Sequence, residues 1–263
     1  MADTTVAFDD ASAYEGFMAR WSHAIGTDFL DWLAPPSGAK WLEIGCGTGV
    51  FTKLLLERCS PSAIAAVDSA PAQIELARTQ LSKQQVDIRL CDARSLPFVD
   101  ASFDIVASAL VINFIPNRSR ALAEMSRVCR PGGRVTGYVW DFAGERSAGW
   151  PLRLGFSRIG LDPPPIPGSE DTSEESLHRL FVSTGLEQVA LRSIDVTMTF
   201  ASFDDYWRSQ TPRFAPQGKM VAALTDRDQE RLVEAVRAAL PPPGLTGSIT
   251  YTARAHAIEG RRS

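Results

Sequence analysis

The stretch Glu43-Ile44-Gly45-Cys46-Gly47-Thr48-Gly49 combines one carboxylate with three glycines at alternate positions. Closely spaced glycines let the backbone approach a ligand without Cβ obstruction and supply positive φ where a turn needs it. A dinucleotide-binding loop has glycine at its first, third and sixth positions, so that the pyrophosphate can sit on a helix N-terminus. Here the sixth position is Val50. Glu43 also puts negative charge at the strand end, where it would repel a pyrophosphate but would suit an ammonium or sulfonium group. Asp68 stands where a second carboxylate could accept hydrogen bonds from both hydroxyls of a ribose. Cys91-Asp92-Ala93 follows with an acid and a small residue, able to receive an adenine amino group and leave room for its ring. One aspartate at a strand end is an ordinary turn residue. Two at successive strand ends after a glycine loop point to a nucleoside.

That reading needs strands that stop at these residues, and the apolar pattern supplies them. Lys40 to Ile44 is a short buried strand ending at the glycines, and Ala63 to Val67 is another ending at Asp68. Val86 to Leu90 alternates as a strand should, Phe103 to Ala107 is a fourth strand and Arg134 to Trp140 a fifth. Helices are expected at Tyr14 to Leu33, Val50 to Arg58, Pro71 to Leu81 and Arg118 to Val128. Repeated β-α-β units with short links imply a parallel sheet covered on both faces, with ligands beyond the carboxyl ends of its strands. Asp162-Pro163-Pro164-Pro165-Ile166-Pro167-Gly168 is too donor-poor for the interior of a helix or strand. After it, Ser173 to Thr184, Asp204 to Gln210 and Asp226 to Leu240 read as helices, and Leu186 to Phe200 and Ser248 to Ile258 as strands.

Trp41 to Thr52 resembles the first motif of class I S-adenosylmethionine-dependent methyltransferases. Asp68 and Asp92-Ala93 match the acidic positions after that family's second and third strands, and Ser102 to Ser108 resembles its fourth-strand motif. Leu122 to Gly133 is similar to the helix-and-turn signature of the branch that includes ubiquinone and menaquinone biosynthesis methyltransferases. The resemblance spans about Tyr14 to Trp140. It implies a Rossmann-like, doubly wound, mostly parallel seven-stranded α/β sheet with helices on both faces and a helical insertion in the C-terminal half. It implies one methyltransferase domain over 1–263, with N-terminal lid helices in 1–35, a cofactor-binding core in 36–141 and the remaining strands with a substrate-side insertion in 142–263. It implies S-adenosylmethionine as cofactor. Glu43, Gly45, Cys46 and Gly47 would lie along its methionine part, Asp68, Ser69 and Gln73 at the ribose and adenine edge, and Asp92 and Ala93 at the adenine. Ser108, Ala109 and Leu110 would line it near the sulfur. Tyr14 and Trp21 would close over it from a lid helix, and the same helix can also pack on the sheet through Phe17, Trp21 and Ile25. Asn113 departs from the family by standing where relatives often carry histidine, which puts an imidazole role there in doubt.

The 263 residues carry 27 Lys and Arg against 31 Asp and Glu, for a formal charge of −4, which offers no general affinity for polyanions. A nucleic-acid substrate is therefore not expected, nor is a membrane span, since no apolar run nears the ~20 residues one needs. Cys46, Cys59, Cys91 and Cys129 include no C-x-x-C pair, so neither a metal site nor a disulfide is expected, and the reading is a reduced, cytoplasmic protein. His23, His178 and His256 lie outside every motif, and no catalytic base is assigned. The acceptor is expected to be a small molecule, apolar or aromatic, between the N-terminal helix, the region after Leu110 and the insertion. Phe114, Trp140, Phe142, Trp150, Phe203, Tyr206 and Trp207 supply rings there, with core packing the expectation for Phe203 and Trp207. The alternatives are an NAD(P)-dependent oxidoreductase and a non-catalytic S-adenosylmethionine-binding protein.

Overall fold

A computed structural model describes residues 11–213 and 215–263, with side chains from residue 20 onward. Seven strands form one sheet in the order β3-β2-β1-β4-β5-β7-β6. β1 (Lys40–Ile44), β2 (Ala63–Asp68), β3 (Val86–Leu90), β4 (Phe103–Ala109) and β5 (Cys129–Trp140) pair in parallel. β7 (Ile249–Arg262) runs antiparallel between β5 and the edge strand β6 (Leu186–Phe200). The chain moves outward from β1 to β3 and then returns to place β4 on the other side of β1. Strand order therefore reverses between β1 and β4, where the loops open a crevice at the carboxyl ends.

Helices cover both faces. α1 (Ala11–Leu33), α2 (Val50–Cys59), α5 (Trp150–Arg158), α7 (Phe203–Gln210) and α9 (Asp226–Arg237) pack into one apolar cluster that includes Trp41, Ile105, Tyr138 and Trp140 of the sheet. α3 (Pro71–Gln80) packs through Ile74 and Ala77 with Ala66 of β2. α4 (Arg118–Val128) and α6 (Glu174–Ser183) cover the other face, where Leu122, Met125, Leu177 and Phe181 meet Leu42, Val106 and Val139. Successive strand residues thus feed opposite cores, which is why β1 and β4 are mostly buried on both faces instead of alternating between core and solvent. Among the described residues no helix is long and apolar enough to cross a membrane.

The expected strands all form, several with other ends. β5 begins at Cys129 because Pro131, Gly132 and Gly133 lie within the extended segment, and β7 runs on through the basic tail to Arg262. The C-terminal helical insertion is α7, α8 (Pro216–Ala222) and α9, between β6 and β7. α5 and α8 have no clear sequence signal: α5 holds Pro151 and Gly155, and α8 has seven residues.

Trp21 takes the packing role that the sequence offered for this helix. It is 1% exposed, packed edge-on against Trp140 with ring centroids 5.8 Å apart, and it touches Phe200 at 6.4 Å. An indole held between α1, β5 and β6 belongs to the core. Tyr14 falls among residues whose side chains are not described. Removing a ring this deeply buried leaves a cavity as well as losing transfer free energy. Trp21→Ala is expected to lower unfolding free energy by about 3–5 kcal/mol in urea titrations; a loss under 1 kcal/mol would contradict the core assignment.

Candidate functional site

The crevice is built from the β1–α2 turn. Gly45, Gly47 and Gly49 have φ of 73°, 54° and 93°. Gly45 is the most constrained, because a Cβ added there would lie 2.4 Å from Cγ1 of Val111, from the segment after β4. The turn is tied to β2 by Gly45 N–H and Cys46 N–H, which both donate to the Val67 carbonyl at 2.8 and 3.0 Å. Asp68 completes the tie. Its Oδ2 accepts from Gly47 N–H and its Oδ1 from Ala70 N–H, each at 2.9 Å. Asp68 therefore bridges the ends of β1 and β2 through backbone donors, besides presenting charge to the crevice.

Glu43 is 1% exposed, and its Oε2 accepts a 2.5 Å hydrogen bond from the Thr52 hydroxyl on α2. Burial pushes its carboxyl up to about 7; the Thr52 bond opposes the shift and the nearby Asp68 charge adds to it. Tyr138 lies on β5 with its hydroxyl buried and without a hydrogen-bond partner, its ionisation suppressed by burial and by Glu43. Cys46 is likewise buried, and its thiol is held protonated by burial and by the Glu43 and Asp68 charges. It is no nucleophile here.

Gln73, on the first turns of α3, is 5% exposed, and its Oε1 is buried without a partner, 3.9 Å from where a Gly47 Cβ would be. Ser69 is exposed between β2 and α3. Across the crevice, Ser108 is 1% exposed with its Oγ also unpartnered, and Ala109 is half-buried. Leu110 follows at φ 60°. The structure thus gathers Glu43, Gly45, Cys46, Gly47, Asp68, Gln73, Ser108 and Ala109 around one turn. Asp92 and Ala93 sit at the end of β3, the next strand out. The Asp92 carboxylate is taken by the Arg94 guanidinium at 2.6 Å and by Arg94 N–H at 2.8 Å, and this pairing holds it below the usual carboxylate range. An adenine amino group would have to share that carboxylate with Arg94.

Sequence reasoning missed Thr52, Val111 and the polar role of Asn113. Thr52 stands one helical turn after the glycines, a spacing that could have suggested it. Val111 could not be found, because its contact with Gly45 crosses between strands. Of the aromatic residues expected around an acceptor, Trp140, Phe203 and Tyr206 are buried in the core. Phe142, Trp150 and Trp207 are half-buried and Phe114 is exposed. His256 is 6% exposed, with Ser193 Oγ 3.0 Å from Nδ1 and Asp141 3.4 Å from Nε2, at the far edge of the sheet.

Residues 42–136 match the family described as "Methyltransferase domain". An uncharacterized methyltransferase of Mycobacterium tuberculosis is 35% identical over 165 residues, covering 62% of this chain and 63% of that relative's length. A phosphatidylethanolamine N-methyltransferase of Cereibacter sphaeroides is 30% identical over 145 residues, covering 48% of this chain and 70% of that protein. Among solved structures, a putative methyltransferase of Bacillus halodurans matches with a TM-score of 0.58 at 15% identity, over 90% of this chain and 98% of that one. That likeness extends the shared fold into the C-terminal half.

Glu43 gives the site a pH signature. A carboxyl raised from 4.5 to about 7 on folding holds its proton more tightly in the folded state. Its contribution to stability is intact below about pH 4.5 and is lost as pH rises through about 7. The loss is about 3 kcal/mol at full ionisation. Glu43→Gln keeps an oxygen for Thr52 and removes the titration. In cofactor-free protein it is expected to flatten the fall in stability between pH 5 and 8, and to be the more stable variant at pH 8. Parallel denaturation curves across that range would refute this assignment.

Proposed function

Because the chain belongs to the class I S-adenosylmethionine-dependent methyltransferases, we propose that it is an enzyme transferring a methyl group from S-adenosylmethionine to a small-molecule acceptor. The observation that carries this reading is the β1–α2 turn. Its glycines exclude side chains from a surface bordered by Asp68 and by two buried, unpartnered polar atoms, Gln73 Oε1 and Ser108 Oγ. Buried polar atoms lacking partners are rare in folded chains, and a polar nucleoside ligand would satisfy them. The donor set fits. Asp68 would hold the ribose hydroxyls, Gln73 the ribose or adenine edge, and Asp92 and Ala93 the adenine. Gly45 and Gly47 would pass the methionine part, with Glu43 and Cys46 beneath them and Ser108 and Ala109 beside the sulfur.

When bound, S-adenosylmethionine supplies a methyl group already activated on a sulfonium. The chain's task is then to orient the acceptor in line with that methyl at about 3–3.5 Å, which can be worth several kcal/mol without an acid or base. The positive cofactor also favours the ionised form of Glu43, so binding and the titration of that residue are linked. A dinucleotide oxidoreductase is not favoured, since a carboxylate lies beneath the turn where a pyrophosphate would have to sit. We read the chain as one methyltransferase unit, with residues 142–263 forming the acceptor side, and place it in the cytoplasm without nucleic-acid partners.

Asp68→Ala tests the reading. The purified protein is expected to bind S-adenosylhomocysteine at micromolar affinity by isothermal titration. The variant, folded by circular dichroism, should bind at least tenfold more weakly, or about 1.4 kcal/mol. A wild type that gives no heat at millimolar ligand, or a folded variant within twofold of it, would reject the assignment. Release of S-adenosylhomocysteine with a metabolite library separates an enzyme from a non-catalytic binder.

A further inference from the structure

Residues 161–172 link α5, which packs on the α1 face of the sheet, to α6, which packs on the α4 face. They must therefore pass over its edge, and their bonds show where. Asn113, just after β4, donates from Nδ2 to the Pro167 carbonyl at 3.1 Å. Arg118 donates to the Asn113 carbonyl at 3.0 Å and pairs with Asp171. Phe142 N–H and Ala143 N–H, just after β5, both donate to Thr172 Oγ1 at 3.1 and 3.0 Å. Gly168, at φ 64°, is pressed so closely on this latch that a Cβ would lie 1.9 Å from Arg118 Nη1. The strap is fixed over the carboxyl ends of β4 and β5, beside the end of β4 that carries Ser108 and Ala109. Its prolines make it stiff and leave it few N–H groups of its own.

Two polar groups beneath this strap are unspent. Asn113 is 4% exposed, and its Oδ1 is buried without a partner. Arg153 of α5 is half-buried, and among the described residues the one hydrogen bond of its guanidinium runs from Nη1 to the Pro164 carbonyl at 2.6 Å. No carboxylate among the described residues lies within ion-pair distance of it, whereas Arg118, Arg127, Arg146 and Arg254 each face one. Burial alone pushes its guanidinium below the ordinary arginine range. Arg153 and Asn113 thus hold the strap at carbonyls three residues apart, Pro164 and Pro167, so both side chains stand along one short stretch of it.

Building on the proposed methyl transfer, we propose that the acceptor carries an anionic group, carboxylate or phosphate, which Arg153 binds, with Asn113 Oδ1 accepting a hydrogen bond from the same molecule. A guanidinium has five N–H donors in a planar fork that matches two-oxygen anions, and only one is committed here. A half-buried cation without a counter-charge is costly to hold, and an anionic ligand supplies the missing partner. This adds a charge to the expected apolar or aromatic acceptor: three of the seven rings that suggested it are core residues, while the polar groups remain unsatisfied.

Saturation-transfer NMR and titration on protein saturated with S-adenosylhomocysteine test this, using benzoate, octanoate and phenyl phosphate against benzamide, octanamide and benzyl alcohol. At least one anion is expected to bind tenfold or more tightly than its uncharged counterpart. Preference for benzoate and octanoate identifies a carboxylate, and preference for phenyl phosphate a phosphate. Arg153→Gln is expected to abolish the preference while S-adenosylhomocysteine affinity stays within twofold. Equal binding of charged and uncharged probes, no binding of any anion, or a preference that persists in folded Arg153→Gln would overturn the proposal. Should that variant not fold, the comparison of probes on wild-type protein decides alone. Loss of S-adenosylhomocysteine binding by the wild type would reject the methyltransferase reading, whereas failure of the anion preference with that binding intact rejects only this inference.

Discussion

Val111 occupies the place where any side chain on Gly45 would go, with Cγ1 2.4 Å from an added Cβ. Much of the site depends on this contact. Gly45 follows β1, while Val111 belongs to the segment leaving β4, the strands on either side of the reversal in sheet order. Their close approach brings the glycine turn, held from the other side by Asp68 through Gly47 N–H, against the segment that presents Ser108 and Ala109. One glycine thus sets the spacing between two walls of a crevice. A methyl group there would strain the φ of 73° and displace Val111 together.

The same turn rests on a destabilised carboxyl. Glu43 sits within the sheet, and the Thr52 hydroxyl does not fully offset the loss of water. Tyr138 and Cys46 nearby are likewise held in their neutral forms by burial. Low dielectric makes charge costly and magnifies the effect of a positive ligand. Proteins commonly place such strain at functional sites, where binding relieves it. A neutral residue would make the empty fold more stable and the crevice less selective for a cation.

The strap shows the other half of the design. Proline-rich chain makes few backbone hydrogen bonds of its own, so it is positioned by donors from elsewhere: Asn113, Arg118 through its pair with Asp171, Arg153 and the two amides after β5. A segment held this way has few alternative conformations. It gives the carboxyl edge a fixed roof without an α-helix. The small α-helical insertion between β6 and β7 adds its aromatic residues to the core beneath, as the stacked Phe203 and Trp207, 5.9 Å apart, illustrate.

The order of the strands and of the helices other than α5 and α8 was determined by sequence, as were the glycine turn and the placing of Asp68 beside it. Local rules govern these features: apolar periodicity, the conformational freedom of glycine and the preference of aspartate for strand ends. They act over a few residues, which is the range a sequence displays directly. The tertiary structure decided what depends on approach between distant segments. It put Trp21 on Trp140 in the core, set Val111 against Gly45, and left Arg153 beneath the strap without a carboxylate. An aromatic residue on an amphipathic helix reads alike whether it caps a ligand or fills a core, because periodicity reports which face is apolar and not what covers it. Whether a charge is paired depends on side chains brought together from separate parts of the chain, and that juxtaposition exists only once the sheet has formed.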